Sequence, residues 1–65
     1  MVEYKDMINM IKNKIGEDVY NLNKDFLYFK NGSIYYNNKD INYEVANCHY
    51  GYITSGIENI LIKKK

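Results

Sequence analysis

A thiol stands beside an imidazole at Cys48-His49, and no other pair in this chain looks so much like catalytic equipment. In a nucleophilic pair the base must come within about 3 Å of the sulfur. Successive residues of a strand project to opposite faces, so these two are expected to diverge, as a buried thiol beside a partly exposed imidazole. They are also the only Cys and the only His. A structural zinc site needs four such ligands, and one Cys can form no bridge within its own chain. Glu17 and Asp18 are adjacent carboxylates, but they follow a helix end in what reads as loop. A solvated pair is expected there, not an acid–base couple. No glycine-rich phosphate loop, zinc signature or nucleophile elbow occurs. The chain therefore reads as a non-enzyme, with no catalytic, metal or cofactor-binding residue.

The remaining chemistry is recognition. Phe26, Tyr28 and Tyr35 are expected to share one face of a sheet with Asn42 and Glu44. Tyrosine supplies a large, rigid contact area with a hydroxyl for a polar partner. Contiguous exposed apolar area on a small protein marks an interaction site. These five residues are the predicted protein-binding surface. Rings on an open sheet also describe single-stranded nucleic-acid binding. That alternative needs a basic groove, and the clearest cation cluster is Lys63, Lys64 and Lys65. These three lysines are the candidate phosphate contacts, with a solubilising tail as the simpler reading.

The elements that position these residues follow from spacing. Over residues 3–15, Tyr4, Met7, Ile8, Ile11 and Ile15 recur at three- and four-residue steps, an amphipathic helix that Gly16 can close. Three turns of helix are too short to stand alone, so the apolar side must rest on something. Asn31-Gly32 is a two-residue hairpin signal, because both residues tolerate positive φ. That turn sets Lys30 opposite Ser33, Phe29 opposite Ile34, Tyr28 opposite Tyr35 and Leu27 opposite Tyr36. Leu27, Phe29, Ile34 and Tyr36 then form the face beneath the helix, and Phe26, Tyr28 and Tyr35 the other. Ile41, Tyr43 and Val45 alternate with Asn42 and Glu44 as a third strand. Asn37 to Asp40 is turn chemistry, predicted to set Tyr36 opposite Ile41 and Ile34 opposite Tyr43. Residues 18–22 read as a short strand or loop, and 49–54 as extended with a possible bulge at Gly51. Residues 55–63 read in two ways. Ser55-x-x-Glu58 resembles a capping box opening a helix, whereas Ile60 to Ile62 could instead be a strand hairpinned onto residues 50–53. The expected fold is α+β, a single domain over 1–65. An N-terminal helix packs on one face of an antiparallel meander of three to five strands.

Composition limits the function further. Asn, Lys, Ile and Tyr dominate, and Arg, Pro, Trp and Gln are absent, the skew of an AT-rich reading frame. A net charge of +1 gives no strong field toward nucleic acid or membrane. No apolar run approaches the roughly 20 residues that span a bilayer, and no secretion signal is read at the N-terminus. A chain this short buries only about 60% of its unfolded surface, so a homodimer or a complex with a protein partner is expected. The lone thiol favours the cytoplasm. A short, motif-free interaction domain of this composition fits a phage or mobile-element accessory protein. The expectation is a steric inhibitor of a host enzyme or defence nuclease, anti-CRISPR-like in manner.

Overall fold

Asn31-Gly32 turns the chain as its residue types predict. In the computed structural model, which describes residues 1–63, both residues have positive φ, 50° and 80°. They join β1 (Leu27–Lys30) to β2 (Ser33–Asn38). The pairing is Lys30 with Ser33, Phe29 with Ile34, Tyr28 with Tyr35 and Leu27 with Tyr36, the predicted register. β3 (Ile41–Asn47) and β4 (Tyr52–Ile53) complete an antiparallel sheet in the order β1-β2-β3-β4. The architecture is α+β, as the pattern implies: an N-terminal helix, a four-stranded meander and a short C-terminal helix.

The β2–β3 register differs from the expectation by two residues. The turn is Lys39-Asp40 alone, with Lys39 at φ 57°. Asn38 therefore faces Ile41, and Tyr36 faces Tyr43. A shift of two keeps every side chain on its face, so the inner and outer assignments survive it. A second irregularity does change them. Tyr35 pairs with Glu44 but Ile34 pairs with Ala46, leaving Val45 as an extra residue in β3. This is a β-bulge. It lets Val45 and Ala46 both enter the core. The neighbouring backbone is satisfied from beyond β4: Thr54 N–H donates to the Val45 carbonyl at 2.9 Å, and Thr54 Oγ1 donates to the Glu44 carbonyl at 2.6 Å.

The helix α1 (Tyr4–Ile15) lays Met7 and Ile11 on the inner face. They meet Ile34, Tyr36, Val45, Ala46 and Cys48 there, joined by Ile57 and Leu61. Gly16 ends α1 at φ 89°, as predicted. Tyr4 ties the helix to the hairpin, its hydroxyl accepting the Gly32 N–H at 3.0 Å and its ring 4.4 Å from that of Phe29. Phe29 belongs to the inner face, yet it is 51% exposed because β1 is an edge strand.

Two segments depart from the sequence reading, and a third takes one of its two alternatives. Residues 18–22 are neither strand nor loop but lie within α2 (Glu17–Asn23), followed by a 3₁₀ turn at Lys24–Phe26. Residues 48–51 turn, with Gly51 at φ 66°, and only Tyr52–Ile53 is extended. The final segment is helical at α3 (Ile57–Ile60), not a strand. The expected capping box is not formed. Gly56, in the left-handed region at φ 79°, precedes the helix, and no side chain caps it. One buried polar residue anchors this end. Asn23 Nδ2 donates to the carbonyls of Val19 and Ile62, and its Oδ1 accepts the Ile62 N–H.

Candidate protein-binding face

The outer sheet face collects its residues in cross-strand rows. Tyr28 pairs with Tyr35, and Tyr35 with Glu44, giving one row over three strands. The Tyr28 and Tyr35 rings are stacked, with centroids 5.4 Å apart and planes inclined by 21°. Offset ring pairs of this kind add about 0.5–1.5 kcal/mol beyond their buried area. Asn42 lies beside the row, its Oδ1 accepting from the Tyr28 hydroxyl at 3.2 Å. Glu44 sits at the centre of a hydroxyl network. Ser33 Oγ donates to its Oε2 at 2.6 Å, and the Tyr52 hydroxyl donates to its Oε1 at 2.9 Å. Asn47 Nδ2 in turn donates to Ser33 Oγ at 3.4 Å. Tyr28 and Tyr52 are exposed, and Tyr35 is half-buried.

Four of the five predicted surface residues, Tyr28, Tyr35, Asn42 and Glu44, therefore share one face. Phe26 does not join them. It lies in the 3₁₀ turn before β1, and its ring packs edge-on against buried Tyr36 at 5.9 Å. The chain has not yet become a strand at residue 26, so strand alternation does not apply to it. Phe26 is a support of the core, not a surface anchor. Spacing could have added Ser33, which is two residues before Tyr35 on the same strand. Tyr52 and Asn47 could not be assigned without the bulge, which sets which way the end of β3 points.

The other candidate residues lie apart from this face. Cys48 is buried, and burial pushes its thiol above its ordinary value, which disfavours the nucleophilic thiolate. The exposed His49 ring rests over Gly32, in the space a Cβ there would need. Glu17 and Asp18 are exposed in the first turn of α2 and not in a loop, where carboxylates suit the helix dipole. Lys63 is exposed, its Nζ donating to Asn59 Oδ1 at 3.5 Å. Lys64 and Lys65 lie outside the described residues.

No known family, curated protein or solved structure matches this chain. Among the described residues no three His, Cys, Asp or Glu side chains gather as a metal site. No described helix is long and apolar enough to cross a membrane.

Hydrogen bonds from Ser33, then Tyr52, hold the Glu44 carboxyl below its ordinary value of 4.5. The same bond raises the Tyr52 phenol above its own. A lowered folded-state value contributes stability above the unfolded value and loses it as pH falls through the folded one. The urea midpoint is thus expected to fall between about pH 6 and pH 3. Glu44→Gln, which keeps an acceptor but cannot titrate, should flatten that fall. An equally steep fall in the variant would assign the acid sensitivity to other carboxylates.

Proposed function

We propose that this chain is a non-enzymatic protein-binding module that docks through the outer face of its sheet. The observation that carries the reading is the stacked Tyr28–Tyr35 pair, exposed at Tyr28 and half-buried at Tyr35, and continuous with Glu44, Asn42 and Tyr52 on one surface. Rings held by a sheet lose little freedom on binding, and such rings dominate interface energetics. The central carboxylate disfavours the nucleic-acid alternative for this face, because it would repel phosphate where the rings could stack on bases. Size, composition and the single unbridged thiol support a cytoplasmic setting. They also support the reading of a phage or mobile-element accessory protein that covers a working surface of a host enzyme or defence nuclease. In that mechanism inhibition is steric.

The test begins with recovery of the bound protein from the native host, followed by affinity measurement with both components pure. The double variant Tyr28→Ala/Tyr35→Ala is expected to bind about 1–3 kcal/mol more weakly, with the far-ultraviolet spectrum of the fold retained. Unchanged affinity would remove this face. Light scattering on the pure chain separates a hetero-complex from a second copy occupying the same surface.

A further inference from the structure

The direction of the hydrogen bonds on the outer face restricts what can bind it. The hydroxyl protons of Ser33 and Tyr52 are spent on Glu44, and that of Tyr28 on Asn42. An Asn47 amide proton is spent on Ser33. The centre of the surface is thus left offering lone pairs, those of the Glu44 carboxylate and the Tyr52 phenol oxygen, with the Asn42 amide protons to one side. An ionised carboxylate has about four acceptor positions; Ser33 and Tyr52 use one on each oxygen and Asn47 lies close enough to use a third. Among the described residues no lysine lies within ion-pair distance of Glu44, and the Lys14–Glu58 pair is elsewhere. The face is therefore negatively charged at its centre, with Tyr35 as the cross-strand neighbour of that charge. A side chain that engages the carboxylate and the Tyr35 ring together has donors, a positive charge and a flat surface. Guanidinium meets all three requirements, whereas ammonium lacks the plane.

We propose that the docked protein presents an arginine to this face, its guanidinium lying along the Tyr35 ring and donating to the free positions of Glu44. Cross-strand neighbours stand about 4.5–5.5 Å apart at Cβ, so Tyr35 and Glu44 can engage one guanidinium together, one by stacking and one by charge. This assignment rests on the docking reading above and names the chemistry of the partner at that same surface.

The test titrates the full chain with N-acetyl-arginine amide, its citrulline counterpart and its lysine counterpart, followed by aromatic and carboxyl NMR shifts. The arginine probe is expected to shift the Tyr35, Tyr28 and Tyr52 rings and the Glu44 carboxyl in a saturable way. Citrulline, of the same shape without the charge, should not, and lysine should bind more weakly. Glu44→Gln should weaken arginine binding about tenfold or more. The arginine–citrulline comparison uses the unmodified chain, so it stands even where the variant is poorly folded. Equal responses to arginine and citrulline, or arginine shifts confined to Glu17, Asp18 and Asp40, would overturn the assignment. If these fail while Tyr28→Ala/Tyr35→Ala still weakens partner binding, only the arginine is lost. Unchanged partner affinity in that double variant removes the docking face, and the partner's arginine with it.

Discussion

Asn23→Ala is expected to lower stability by about 2–4 kcal/mol, a large part of the roughly 3–10 kcal/mol available to a chain of this length. Asn23 is fully buried, and its amide makes three hydrogen bonds of 2.7–2.8 Å. Two of them hold the N–H and C=O of Ile62, so the side chain pairs with that residue as a neighbouring backbone would. These bonds close a connection of 39 residues and hold the C-terminal segment against α2. Truncation strands the Val19 and Ile62 groups and opens a cavity in the same step. Urea unfolding measures the loss. Amide exchange should show that α2 and α3 lose protection together. Asn23→Asp separates bonding from volume. A carboxylate facing two carbonyls cannot donate, so this variant should be poorly stable at neutral pH. It should recover in part on acidification, when the protonated carboxyl can donate to one carbonyl. A change below about 0.5 kcal/mol in Asn23→Ala would show that the C-terminal segment is held by its apolar contacts alone.

Deleting Val45 is expected to lower stability by about 2–5 kcal/mol. The bulge allows inward Val45 and Ala46 to follow outward Glu44. Without the extra residue strict alternation resumes at Glu44, and Ala46 still faces Ile34 while Asn47 still faces Ser33. The faces are kept and the loss is local. One fully buried apolar side chain is removed, and the Thr54 N–H loses the Val45 carbonyl as its acceptor, two costs that each reach about 1–3 kcal/mol. Circular dichroism and a urea melt decide the outcome. A deletion variant that melts near the unmodified midpoint would mean that the bulge and its valine add nothing to stability. The conservative control is Val45→Ala, which keeps the residue count and should remain folded.

The legible parts of this fold rest on local chemistry with one solution. Asn31-Gly32 admits one turn type, and the β1–β2 register follows from it residue by residue. Asn37 to Asp40 are all turn-forming, so the length of that turn is not encoded by type. The resulting two-residue error was harmless only because strand faces repeat every two residues. The bulge leaves no mark in the pattern. Ile41, Tyr43 and Val45 alternate cleanly, and what breaks the alternation is Thr54 reaching back to the carbonyls of Glu44 and Val45. That is a tertiary contact, invisible in a strand read alone. Phe26 precedes the first strand residue by one, so the alternation that orients Tyr28 does not reach it. Four members of the binding face lie before the bulge, or on the turn-determined strands, and were legible. Tyr52 and Asn47 lie beyond it and were not.

The position of Cys48 has a practical consequence. Its thiol is buried on the side of the sheet opposite the tyrosines, and its carbonyl accepts the Val2 N–H at 2.9 Å. A reagent can alkylate that sulfur only when the chain end lifts or the whole molecule opens. Where opening is global, a ligand that recognises only the closed form slows the modification in proportion to its occupancy. The molecule thus carries a native reporter of occupancy, set where no docked protein would touch it.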